Sequence, residues 1–136
     1  MSQFCDNLRM SDTHTQGIRI VVAPEYLPQQ SDPDSQRYLF AYHIEIHNEG
    51  EHTVQLLDRH WRITNGRGEV EVVNGEGVVG LQPVIHPQES FRYSSGCPLD
   101  TPVGTMEGHY TMQRSDGERF DAAIGVFRLA LPGSLH

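Results

Sequence analysis

Arg37-Tyr38-Leu39-Phe40-Ala41-Tyr42-His43-Ile44-Glu45-Ile46-His47 is the stretch whose pattern decides the fold. Tyr38, Phe40, Tyr42, Ile44 and Ile46 recur at every second position, and Leu39, Ala41, His43, Glu45 and His47 fall between them. Side chains of a β-strand alternate between faces, so this period of two predicts a strand with one face packed on a core. Before it, Gly17-Ile18-Arg19-Ile20-Val21-Val22-Ala23-Pro24 is β-branched and halted by proline, which predicts a first strand. The intervening Pro28 to Gln36 has no apolar residue between its prolines and reads as a surface loop. After it, Asn48-Glu49-Gly50-Glu51 supplies residues tolerant of positive φ, and Thr53 to Thr64 is again β-rich. Together they predict an antiparallel hairpin with a slightly long turn.

Further out, Asn65-Gly66-Arg67-Gly68 is a turn leading into Glu69 to Val73, and Ser90-Phe91-Arg92-Tyr93 alternates after Pro83 and Pro87. Gly108 to Arg114, the turn Ser115 to Glu118 and a run from Arg119 to Leu131 complete the chain. No segment sustains a helical period. Seven or eight short strands punctuated by turns predict an all-β, antiparallel sandwich. A chain of 136 residues lies in the usual range for one domain. The expected organisation is a polar lead-in over 1–16, a sandwich over 17–132 and a short tail over 133–136.

The formal net charge is −8. This opposes binding to a polyphosphate backbone, so no nucleic-acid partner is expected. No run is long and apolar enough to span a membrane, and the first residues lack a basic segment followed by an apolar one. The cytoplasm is the expected location. Two cysteines, Cys5 and Cys97, are too few for a disulfide framework and are expected as free thiols.

Several constellations carry potential chemistry. Gly75, Gly77 and Gly80 match G-x-G-x-x-G, but Pro83 and Pro87 follow at once where a dinucleotide site needs a helix. What remains is an anion-binding loop of backbone N–H groups assisted by an arginine, or a glycine-rich crossing between sheets. His43, Glu45 and His47 would project from one side of a strand, which allows at most a low-selectivity divalent cation site; no cofactor is otherwise expected. Cys97 and His109 are the paper candidates for nucleophile and base, yet nothing in the sequence brings them together, so no enzymatic activity is expected. The acids Asp58, Glu69, Glu71 and Glu76 likewise carry no specific acid–base signal. Trp61, the single tryptophan, follows Asp58, Arg59 and His60, which interrupt the alternation after Leu56-Leu57. It belongs either in a sandwich core or, with Arg59 and Arg62, in a contact surface for a protein partner.

Phe40 to Gly50, Leu57 to Gly66, Val73 to Pro83, Phe91 to Leu99, Thr101 to Tyr110 and Phe127 to Pro132 together resemble the bacterial ApaG family. The resemblance covers about Gly17 to Pro132. It implies a fibronectin-III-like or immunoglobulin-like β-sandwich and a family also known as CorD, linked to cobalt tolerance and magnesium efflux. It also implies a domain reused in larger eukaryotic proteins for protein contacts, with no established catalytic residues. The glycine series of the family falls on Gly75, Gly77 and Gly80. Gln88 after Pro87 departs from the family pattern, where glycine is expected. The resulting expectation is a non-enzymatic protein-interaction module, monomeric or homodimeric, with Arg59, Trp61 and Arg62 as contact residues. The alternative is a sensor of a divalent cation or a nucleotide phosphate.

Overall fold

The computed structural model describes Met10 to Gly133. Nine strands run in chain order: β1 Ser11–Thr15, β2 Ile18–Tyr26, β3 Tyr38–Asn48, β4 Val54–Asn65, β5 Val70–Glu76, β6 Val84–Ile85, β7 Ser90–Leu99, β8 Val103–Arg114 and β9 Arg119–Ala130. One sheet has the order β1-β2-β3-β7 and the other β5-β4-β8-β9, with β6 continuing the β5 side of β4. All pairings are antiparallel. This is a sandwich of the immunoglobulin or fibronectin-III type, with β1 and the two-residue β6 raising the strand number above the seven or eight expected.

The alternation in β3 does what its sequence dictates. Phe40, Tyr42, Ile44 and Ile46 are buried and meet Ile18, Ile20 and Val22 of β2 on the inner face. The opposing sheet contributes Leu56, Trp61, Met106, Tyr110, Met112 and Phe127, among others. Tyr110 is fully buried, and its hydroxyl is satisfied by that of Tyr93.

Three expectations are corrected. Ser11–Thr15, placed in the lead-in, forms a strand joined to β2 by Gln16-Gly17, both at positive φ (48° and 84°). Cys5 lies outside the described residues. Pro24 does not end its strand: β1 stops pairing at Ser11 opposite Val22, so Pro24 occupies a stretch of β2 whose far side is an edge. Asn48 to Glu51 does not close a hairpin, because β3 and β4 belong to different sheets. Asn48 is 1% exposed and makes the corner: its Nδ2 donates to the carbonyls of His52 and Ile85, and its Oδ1 accepts from the Gly50 N–H. A buried amide satisfied on three sides fixes a crossing rather than a solvent turn.

The broken alternation around Trp61 also has a structural cause. The β4–β8 register slips between Leu56 and Asp58, leaving Leu57 as the extra residue of a bulge. The bulge flips the parity of the strand, so Leu56 and Trp61 both face inward although they are five positions apart. A second shift sets Glu107 of β8 against two residues of β9, Gly125 and Val126.

The two flanks of the sandwich differ. On one, β1 leans against β9: Thr13 and Thr15 accept backbone N–H bonds from Gly125 and Ala123 through their hydroxyls. On the other, β5 and β7 are the terminal strands of their sheets, and among the described residues no strand covers either.

Candidate docking edge and the slot beside it

The open flank is built from the hairpin β4–β5. Asn65 accepts and donates across its turn, with its N–H on the Glu69 carbonyl at 3.0 Å, and the Gly77 N–H meets the Leu57 carbonyl at 2.8 Å at the other end. These two bonds fix the alternation of the ladder. Glu71, Val73 and Gly75 turn their backbone groups toward β4, and Val70, Val72, Asn74 and Glu76 turn theirs outward. The outward groups of Val70, Val72 and Asn74 form an unpaired strand edge, which ends where the Glu76 carbonyl accepts from Arg59.

Exposed apolar side chains lie on β5, in the loop after it and on β6. Val70, Val72, Val79, Leu81 and Val84 are 45–56% exposed, and Val126 is the only other large hydrophobic in that class among the described residues. Val79 is held at the tip of a tight turn: Val78 and Leu81 exchange backbone hydrogen bonds of 2.8 and 2.9 Å around Val79-Gly80, both at positive φ. Buried Val78 anchors the turn beneath it. The loop is pinned further by Gln82, whose Nε2 donates to the Leu57 carbonyl, and by Gln55, which donates to the Gln82 carbonyl.

Between β5 and β7 a slot of about 250 Å³ opens into the sandwich, lined by Tyr42, Arg59, Trp61, Val73, Met106 and the β7 segment Ser95 to Pro98, with Glu71 beside it. Trp61 is 2% exposed and packs edge-on against Tyr42, Tyr110 and Phe127, with centroids 5.3–6.4 Å apart. Its indole Nε1–H has no acceptor among the described residues.

The proposed surface of Arg59, Trp61 and Arg62 therefore does not exist as one surface. Trp61 is in the core. Arg62 is exposed on the outer face, opposite Val72. Arg59 points inward and donates to the carbonyls of Glu76 and Gly77 at 3.1 and 2.9 Å.

The glycine series is brought beside Arg59, but Gly75 and Gly77 answer local packing demands and Gly80 a backbone one. A Cβ on Gly75 would stand 2.7 Å from the Arg59 guanidinium carbon, and one on Gly77 (φ 63°) would stand 2.2 Å from the Leu81 carbonyl oxygen. Gly80 supplies the second positive φ of the turn. The N–H groups of Gly77 and Val78 are already bonded to carbonyls, and Arg59 is occupied by carbonyls rather than turned to solvent.

His43, Glu45 and His47 do share the outer face of β3. His43 is bonded through Nδ1 to Ser94 and through Nε2 to Glu25 at 2.7 and 2.8 Å; His47 is bonded to Ser90 and to Glu45. The histidine hydrogen bond and the Arg92 charge hold the Glu45 carboxyl below its ordinary range. A cation there would displace these partners, and among the described residues no group of three or more His, Cys, Asp or Glu is arranged to hold a metal.

Cys97 is buried at the slot wall. Burial pushes its thiol up to about 12, with a further contribution from Glu71, so it is not a nucleophile at neutral pH. His109 lies far from it in topology, on the outer face of the other sheet, stacked on His60 at 4.8 Å. Among the described residues no helix is long and apolar enough to cross a membrane.

The described residues define an antiparallel two-sheet β-sandwich with a pinned, exposed loop. The profile of the ApaG domain matches residues 28–114. A protein ApaG from Methylobacterium sp. (strain 4-46) is 55% identical over 123 residues, covering 90% of this chain and 95% of the relative. One from Pseudomonas putida is 55% identical over 127 residues, 93% of this chain and all of the relative. A crystal structure from Bordetella pertussis, of a protein designated ApaA, superposes with a TM-score of 0.85 at 46% identity, covering 90% of this chain and 99% of that one. The chain belongs to the ApaG family, whose name assigns no reaction.

The residues that make the edge were not singled out by sequence. Val70 and Val72 sit on the outer face of a strand that also sends Val73 inward, so their alternation with Glu69 and Glu71 looks like ordinary strand composition. The signal available was apolar residues on both faces of one strand, which is expected of a strand whose outer face meets something.

Proposed function

We propose that the protein is a non-enzymatic interaction module that receives an extended segment of a partner protein on β5. The observation that carries this is the unpaired edge of β5 with Val70 and Val72 exposed on it, followed on the same side of β4 by exposed Val79 and Leu81 in the next loop and Val84 on β6. Strand addition uses such an edge: main-chain hydrogen bonds supply affinity and alternate side chains supply selectivity.

The Val79 turn supports the same reading. A β-branched residue at φ 44° costs about 1–2 kcal/mol, and a left-handed position next to glycine is ordinarily given to Asn or Asp. An exposed valine kept there, at 56% exposure, is strain retained at a point of contact.

Photocrosslinkers placed singly at Val72, Leu81 and Val126 test the reading in cells. The same protein should be captured from Val72 and Leu81 and not from Val126. Val79→Asn should raise the melting temperature, by about 1 kcal/mol of relieved strain, while weakening that capture. Equal capture from Val126, or none from Val72, sinks the proposal.

A further inference from the structure

Resting on the docking reading above, the chemistry around β5 also defines what docks. We propose that the received strand is basic and extended, with the pattern basic–x–x–apolar–x–basic, its central apolar side chain seated in the slot between β5 and β7.

The slot fixes the apolar position. A strand added to β5 continues the sheet, and its residues alternate between the two faces as those of β5 do. The residue facing Val73 shares the inner face with Trp61, the direct cross-strand neighbour of Val73. Its side chain therefore projects over Tyr42, Trp61, Val73, Cys97, Pro98 and Met106, across to β7. At about 250 Å³ the slot is smaller than a pocket for a drug-sized ligand and matches one large side chain.

The acids fix the basic positions. Asp58 and Glu76 are direct cross-strand partners, both exposed, and neither has an ion-pair partner among the described residues. Like charges directly opposite each other in a ladder repel, and a cation placed beside them removes the repulsion. In antiparallel addition the residue facing Glu76 lies three positions before the one facing Val73. Glu71, at the mouth of the slot and also without an ion pair, receives the residue two positions after it. Arg62 stands on the outer face opposite Val72, so the position between is uncharged. The net charge of −8 steers a basic segment toward the chain at low salt.

The test uses the capped peptide Thr-Lys-Thr-Ser-Phe-Thr-Lys-Thr titrated into the isotope-labelled full chain by NMR. Perturbations should fall on β5, on Gly77 to Leu81 and on the slot residues, with intermolecular cross-strand contacts to Val72 and Asn74. Replacing both lysines of the peptide by glutamate, or its phenylalanine by serine, should each weaken binding at least about tenfold. The double variant Asp58→Asn/Glu76→Gln should weaken the lysine peptide and flatten its salt dependence. Val72→Pro, which removes an outward N–H and leaves the β4 ladder intact, should abolish binding with the melting temperature little changed.

Equal binding of the lysine and glutamate peptides overturns the proposed chemistry but leaves strand addition standing, as does peptide failure alongside crosslinking from Val72. Perturbations confined to β7, β9 or the outer face of β3 overturn both. Cross-strand contacts at β5 in the peptide-free protein identify a second copy as the occupant and overturn the proposal.

Discussion

Replacing Trp61 by alanine tests where the single tryptophan acts. The ring is 2% exposed and meets three aromatic rings edge-on, so truncation removes the centre of an aromatic cluster and leaves a cavity continuous with the slot. Trp→Ala in a core typically costs about 3–5 kcal/mol. In a domain of this size each kcal/mol corresponds to roughly 3–5 °C, so the midpoint should fall by about 10–20 °C. Trp61→Phe separates packing from polarity. Phenylalanine keeps an aromatic edge toward Tyr42 and Phe127 while deleting the indole N–H, an orphan donor whose burial costs about 1–3 kcal/mol. That gain offsets most of the lost area, and the net change should stay within about 1.5 kcal/mol. Urea unfolding followed by far-UV CD gives both values, with unchanged slopes showing that the same surface unfolds. An alanine variant melting within about 2 °C of the parent would refute the packing argument. Equal losses in both variants would show that the N–H has a partner.

Two further outcomes follow from local features. Cys97, its thiol raised to about 12 by burial, should resist a disulfide reagent at pH 8 in a Cys5→Ser background and react at once in urea; rapid labelling of the folded protein would contradict its burial. Gln88 sits at φ 71° in the turn closed by the Glu89 N–H on the His86 carbonyl, so Gln88→Gly should stabilise by about 1 kcal/mol, read as a higher urea midpoint; a lower midpoint would show that the turn tolerates the side chain without strain.

Most of the strand pattern was legible because the inner faces alternate outside the two bulges. β3 is the clearest case, and the turns Asn65 to Gly68 and Ser115 to Glu118 carry their own residues of positive φ. The failures are local and physical. Asn48 to Glu51 has the composition of a solvent turn, and only the burial of the Asn48 amide makes it a corner between sheets. The doubled Leu56-Leu57 is the trace of the bulge that turns Trp61 inward, a cause that becomes visible only when β8 supplies the register. Ser11–Thr15 is polar because its hydroxyls serve the β9 backbone, so it lacked an apolar period to read. The glycine series was correctly denied a helix, but its local reasons, Arg59 over Gly75 and Leu81 against Gly77, are contacts between separate segments. The docking edge was the least legible. An unpaired strand differs from a paired one by what is missing beside it, and a sequence does not state its neighbours.

The latch of β1 onto β9 has a practical consequence for handling the molecule. The chain contains no lysine, its ten Lys and Arg positions all being arginine, so a lysine introduced on β1 gives amine-directed chemistry a single side-chain target. β1 lies on the flank where Thr13 and Thr15 hold β9, and the flank of β5 and β7 is opposite. Coupling through such a lysine grips the sandwich by its sealed seam and leaves the opposite seam presented to solution.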